Sequence, residues 1–201
     1  MYNRCMLRFS TLGICASTAA FGGPAPPALA DVVWAADAAA SCVRFSVPHL
    51  LLSRVTGTIP IASATIVTAD AEPVPLLIDA MLNVAALTTH HRQRDAQLRS
   101  ARFFDVSAFS KITFASERVV ETGARSFRVE GELTMRGVTR TGVLQMRLVA
   151  LRRDPAGRRR VRYAGDASFR RSNYGMTYAR GMVGDEVRLA ITLEAVHSPH
   201  A

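Results

Sequence analysis

Residues 126–135, SFRVEGELTM, place Phe127, Val129, Gly131, Leu133 and Met135 on one side of an extended chain. Arg128, Glu130, Glu132 and Thr134 fall on the other side. Side chains alternate between two faces only in a strand, so this spacing makes one face dry and one wet. The same rule governs VRYAGDASF at 161–169, where Val161, Tyr163, Ala167 and Phe169 oppose Arg162, Asp166 and Ser168. It returns in VRLAITLEA at 187–195, where Val187, Leu189, Ile191 and Leu193 oppose Arg188, Thr192 and Glu194. Segments 41–47, 76–84, 111–121 and 143–151 follow it less cleanly. Gly123, Arg136-Gly137 and Pro155-Ala156-Gly157 supply turn signals between them. The chain is therefore all-β, an antiparallel meander with one face toward water. A sandwich and a closed barrel both satisfy that pattern, and alternation alone does not separate them.

The first thirty residues belong to no strand. Arg4 and Arg8 make a positive start, Phe9 to Phe21 is apolar but too short to span a bilayer, and Ala28-Leu29-Ala30 is a small-x-small cleavage pattern. We read residues 1–30 as a signal peptide cut after Ala30, with export to a soluble compartment, and 31–201 as one mature domain. Cys15 follows Ile14, a poor setting for lipidation. Cys5 and Cys15 leave with the segment, so Cys42 is the lone thiol of the mature chain, on the polar side of a strand near its start.

Taking thirty from 201 residues leaves 171, enough for one domain with a substantial core. Of the 25 Lys and Arg, Arg4 and Arg8 are lost; the remaining 23 against 16 acids give +7. Many of these arginines crowd around Pro155-Ala156-Gly157, a turn, without the interleaved aromatics of a nucleic-acid surface. A solvated hairpin tip is the expectation, with attraction to anionic headgroups as the sharper alternative.

Catalytic candidates are few. His90 and His91 are adjacent and point apart on any regular element, and His197 and His200 are terminal. Neither a nucleophile elbow, a zinc-binding HExxH, a CxxC nor a phosphate-cradling glycine loop occurs. No catalytic residue and no metal ligand is assigned.

Four phrases stand in order along the chain. TTHHRQRDAQLRSARFFD at 88–105 carries one helix-compatible turn and a paired aromatic. AFSKITFAS at 108–116, GELTMRGVTR at 131–140 and RRSNYGM at 170–176 follow, the last leading into VGDEVRLAITLEAV at 183–196. Together they resemble the YceI-like family, periplasmic lipocalin-like barrels that bind polyisoprenoid lipids. In that family the helix phrase reads approximately RDxHLRSxDFFD. Arg94, Asp95, Leu98, Arg99, Ser100, Phe103, Phe104 and Asp105 keep it, whereas Gln97 and Arg102 depart and make the helix more positive. Asp95 is expected to pin the helix rather than to act as an acid.

The resemblance implies an eight-stranded lipocalin-like barrel with one short helix insertion and an apolar lumen. It also implies a protein that binds, carries or stores a long-chain isoprenoid quinone or polyprenyl phosphate, with no covalent cofactor. Expected at the ligand are Phe45, His49, Arg94, Arg99, Phe103, Phe104, Phe109, Phe114, Phe127, Met135, Tyr163, Phe169, Tyr174 and Met176. Arg94, Arg99 and His49 would meet the headgroup, and the aromatics and methionines the tail. The inner-membrane surface, a membrane redox protein and a second copy of the chain stay open as partners. Two other readings also stand: a stress-response barrel filled by its own side chains, and a hydrolase or isomerase acting on an amphiphile.

Overall fold

The structure, a computed structural model, describes residues 31–50, 53–69 and 73–197. The segment read as a signal peptide lies outside them. Strands run β1 Asp31–Ala36, β2 Cys42–His49, β3 Ser53–Ala69, β4 Pro75–Asn83, β5 Lys111–Gly123, β6 Ser126–Met135, β7 Val138–Arg153, β8 Arg159–Arg170 and β9 Glu186–His197. Among the described residues one helix, α1 (Arg92–Arg99), interrupts them, with 3₁₀ turns at Val84–Ala86 and Arg171–Tyr174.

Each strand pairs antiparallel with its neighbours, β3 pairs with β4, and β9 returns to β2, so the sheet closes on itself. Nine segments make eight staves, because β1 and β2 share one. Both lie between β3 and β9: Trp34 pairs with Ile66 and His197, and Cys42 with Pro60 and Thr192. The break between them is stitched to β9, with Asp37 N–H donating to the Glu194 carbonyl at 2.7 Å and Ser41 exchanging bonds with Glu194 backbone at 3.0–3.1 Å. Closure leaves no edge strand exposed among the described residues.

The alternation of β6 sets its register. Phe127 pairs with Met146, Val129 with Leu144, Gly131 with Gly142 and Leu133 with Arg140, all on the inner face, while Arg128 and Glu132 stand in water. Arg136 (φ 51°) and Gly137 (φ 70°) make the tight hairpin that follows, both left-handed as a two-residue turn with strand-compatible twist requires. The β5–β6 turn falls one position later than its sequence signal. Gly123 still pairs with Ser126, and Arg125 takes the left-handed φ of 62°.

The longest strand, β3, has no counterpart among the sequence-read segments, because Gly57 and Pro60 interrupt its pattern. Thr58 exchanges N–H···O bonds with Thr88 on the side away from β2, and Pro60, two residues on, points its nitrogen the same way. Pairing with β4 begins only at Ile61. Pro60 therefore faces a gap where a missing N–H costs no ladder bond.

One end of the barrel is solid. Trp34, Ile66, Phe127, Val129, Val161, Tyr163 and Ala195 are all fully buried there. Their polar atoms are satisfied: Trp34 Nε1 donates to Thr68 Oγ1 at 3.0 Å and the Tyr163 hydroxyl to the Pro73 carbonyl at 2.7 Å. Burial pushes the Tyr163 phenol well up.

On the outside of this end the arginine run is not simply a solvated tip. Glu194, expected on the wet face, points outward yet is only 2% exposed, because Arg152, Arg160 and Arg162 converge on it from β7 and β8 at 2.6, 3.1 and 2.6 Å. Arg160 also reaches Asp37 and Asp154, and Asp154 folds the tip by accepting from the Ala156 and Arg158 N–H groups. Burial alone would raise the Glu194 pKa, but the Arg162, Arg152 and Arg160 bonds outweigh it and hold it at about 2. Since the ordinary value is 4.5, this carboxylate stabilises the fold above pH 4.5, and its contribution is lost as pH falls toward 2. Two of the three arginines are half in water, which limits the loss to on the order of 2 kcal/mol. Urea unfolding at about pH 5 and about pH 3 should show a smaller acid loss for Glu194→Gln than for the parent; equal losses would remove Glu194 from the acid response.

Candidate functional site

The other end of the barrel opens into a cavity of about 910 Å³. Its wall is aliphatic and aromatic: Val43, Phe45 and Val47 from β2, Ile59 and Ile61 from β3, Ile112 and Phe114 from β5, and Leu189, Ile191 and Leu193 from β9. Glycines keep the wall thin where backbones or rings come close. At Gly57 a Cβ would collide with the Phe45 ring and meet the Thr88 carbonyl at 2.8 Å, so Gly57 makes room for Phe45.

Helix α1 lies at the mouth and its sequence explains how it is fixed. His91 caps the N-terminus, its Nδ1 accepting from Arg94 N–H at 3.3 Å. Asp95 is buried and accepts from Thr89 N–H at 2.8 Å and from the Thr88 and Thr89 hydroxyls. Burial opposes its charge, but the Thr89 and Thr88 bonds prevail and its pKa is lowered. Asp95 thus pins the helix, as its place in the sequence suggests. Arg99 does the same from the far end, donating to the Ala85 carbonyl at 2.9 Å and the Leu87 carbonyl at 2.6 Å. The following residues turn back so that Phe103 and Phe104 enter the cavity wall.

The segment after β8 is built around Arg171, which is 4% exposed. Its guanidinium donates to the carbonyls of Met176 and Tyr178 at 2.7 Å and of Gly184 and Val183 at 2.9 Å. A buried cation is tolerated here because backbone oxygens replace its water. Desolvation lowers its pKa nonetheless. This clamp holds Tyr174 and Met176 in the cavity wall and the 176–184 segment at the rim.

Of the residues expected at the ligand, Phe45, His49, Arg94, Phe103, Phe104, Phe114, Met135, Phe169, Tyr174 and Met176 surround this one cavity. The other four lie elsewhere. Arg99 is spent on the helix anchor. Phe109 is 37% exposed and packs on Gly137 outside the barrel. Phe127 and Tyr163 point inward as expected, but in the solid end, below the cavity. Arg54, Asn173 and above all Arg140 line the mouth without having been singled out from sequence, and so does Gln97, noted there only as a departure from the helix phrase. For Arg140 the signal was present: it is two residues before Gly142 and four before Leu144 on an inward register, but the segment read from sequence began only at 143.

Among the described residues no group of three or more His, Cys, Asp or Glu side chains is placed to hold a metal ion. Cys42 is a free thiol, half-buried on β2. No helix of the described residues is long and apolar enough to cross a membrane.

A closed eight-stave antiparallel barrel, solid at one end and hollow at the other with a short helix at the mouth, is a lipocalin-like barrel. Residues 34–195 match the YceI-like domain, and the chain belongs to that family. A UPF0312 protein of Enterobacter sp. (strain 638) is 31% identical over 154 residues, covering 77% of this chain and 80% of its own. One of Shewanella oneidensis is 28% identical over 173 residues, covering 86% and 91%. Among solved structures, Burkholderia cenocepacia BcnA superposes with a TM-score of 0.67 at 20% identity, over 79% of this chain and 98% of its own. A polyisoprenoid binding domain from Saccharophagus degradans, implicated in plant cell wall breakdown, superposes with a TM-score of 0.62 at 14% identity, over 82% and 98%. At these identities the solved structures speak for the fold.

Proposed function

We propose that this protein is a periplasmic carrier or store for a long-chain polyisoprenoid, which it holds by burial rather than transforms. The observation that carries this reading is the cavity itself: about 910 Å³, walled by aliphatic and aromatic side chains, with polar groups gathered at one opening. That volume lies near the top of the range for small-molecule sites. Each methylene withdrawn from water contributes roughly 0.8 kcal/mol, so a partly enclosed prenyl chain is held firmly without a directional contact along it. The Saccharophagus degradans domain of the same fold, a polyisoprenoid binding domain, supports the same chemistry.

Export fits this role, with residues 1–30 as the signal peptide and the mature chain starting at Asp31. The rim suits an exchange with a membrane surface. Leu50 and Met182 are each 52% exposed and adjacent, with Leu50 N–H donating to the Met182 carbonyl at 2.8 Å. The test is native mass spectrometry of protein taken from the periplasm, followed by organic extraction. We expect a chain beginning at Asp31 that carries a polyisoprenoid of defined mass. Ligand-free protein that also takes up no added prenyl lipid would overturn the reading.

A further inference from the structure

Five arginines line the cavity, Arg54, Arg94, Arg140, Arg170 and Arg171, against one carboxylate, Glu186. Their hydrogen bonds divide them. Arg171 is saturated by four carbonyls, Arg94 donates to the Thr89 hydroxyl and carbonyl at 2.9 and 3.0 Å, and Arg54 donates to Ser46 Oγ at 2.8 Å. Arg170 is without a hydrogen bond or ion pair among the described residues, but it follows the inward Phe169 on the opposite register, at the exposed end of β8. Arg140 differs from all of these. It pairs with Leu133 on the inward register of β7, above Gly142, Leu144 and Met146, and beside Tyr174. Among the described residues its side chain makes no hydrogen bond or ion pair. The nearby acids do not neutralise it: Glu186 faces Arg188 at 3.5 Å, and Asp185 accepts from the Ser172 N–H and hydroxyl.

Arg140 is exposed at the opening of the cavity, so its unpaired, hydrated guanidinium is available there to an anion. Its planar fork offers parallel donors that match two oxygens of one phosphate. The polar lining of the same opening, His49, Gln97 and Asn173, can meet the remaining oxygens.

We propose that the mouth carries an anion subsite centred on Arg140, and that the lipid it seats ends in a phosphate monoester rather than a neutral head. This rests on the polyisoprenoid reading and narrows it. Calorimetric titration of delipidated mature protein with farnesyl phosphate, farnesol and inorganic phosphate tests it. The parent should bind farnesyl phosphate about tenfold more tightly than farnesol, and Arg140→Gln should erase that preference by weakening farnesyl phosphate binding about tenfold. Arg140→Lys, which keeps the charge, should retain part of the preference and shows that loss in the Gln variant is not misfolding. Equal affinity of the parent for the two lipids, or an undiminished preference in Arg140→Gln, would overturn the subsite. Inorganic phosphate binding as tightly as farnesyl phosphate would make it a site for a free anion and overturn the headgroup assignment. Farnesol binding that persists in any of these outcomes leaves the polyisoprenoid reading standing; failure of both lipids to bind the parent removes that reading and the subsite with it.

Discussion

Gly131→Ala should cost the fold about 3 kcal/mol, lowering the midpoint of thermal unfolding by roughly 6–12 °C, although it adds a single methyl group. Gly131 faces inward on β6, opposite Ser116, where β5 carries a register shift between Ser116 and Arg118. The shift draws the two backbones together. A Cβ at Gly131 would collide with the Ala115 carbonyl oxygen and meet Ser116 Cα at 2.7 Å. Both are backbone, so no rotamer change relieves the clash and a ladder must open. Gly123→Ala is the control, since nothing lies within 4 Å of a Cβ there. Removing that glycine should leave stability unchanged or raise it by up to about 1 kcal/mol, through the unfolded chain. Differential scanning calorimetry of the two variants decides the matter: a Gly131→Ala protein within about 1 kcal/mol of the parent would show that the strands can part cheaply.

The same residue shows what could be read without a structure. The inward face of β6, Gly131 included, followed from period two alone, because a slip by one residue would bury Arg128, Glu130 and Glu132 together. Closure of the barrel did not follow from it. Alternation records which side of a strand is dry, not which strand lies on each flank, and here the resemblance in the four phrases made the choice. β3 stayed hidden because Gly57 and Pro60 belong to its tertiary surroundings, a ring that needs space and a gap in the sheet, and not to strand propensity. Glu194 misled for a related reason. It occupies an outward position, yet three arginines from two neighbouring strands bury it, and cross-strand company is invisible along a single strand.

Position along the staves separates the site residues in the same way. Phe127, Tyr163 and Phe169 share one sequence signature, an aromatic on an inward register. Tyr163 and Phe169 even sit on the same strand, six residues apart. Only Phe169 reaches the hollow, because the solid end is closed by Trp34 and by the bonds of Trp34 to Thr68 and of Tyr163 to Pro73. The inward register therefore nominates lumen residues, while the height along the barrel decides whether they pack against protein or against a ligand. Arg99 and Arg94 illustrate the same limit on α1: they are five residues apart, and only Arg94 lines the mouth.

Phe169→Glu should weaken prenyl-lipid binding by about a hundredfold or more while the barrel still folds. Phe169 lines the cavity, half-buried, with its ring edge-on to Tyr174 at 5.5 Å between centroids. In the empty barrel a carboxylate there keeps some water through the open mouth, so folding survives. Seating an apolar chain strips that water away, and the cost of several kcal/mol falls on the bound state. Phe169→Leu keeps an apolar surface and should lose only a small part of the affinity. Phe109→Glu supplies the opposite control. Phe109 carries the same aromatic signature but packs on Gly137 outside the barrel, so its change should leave affinity within about twofold of the parent. Binding isotherms with a prenyl lipid, each variant first checked by circular dichroism for a folded barrel, separate the cases. A folded Phe169→Glu protein that binds as the parent does would place the lipid outside the lumen. A loss shared equally by Phe109→Glu would point to the outer face around the β6–β7 hairpin instead.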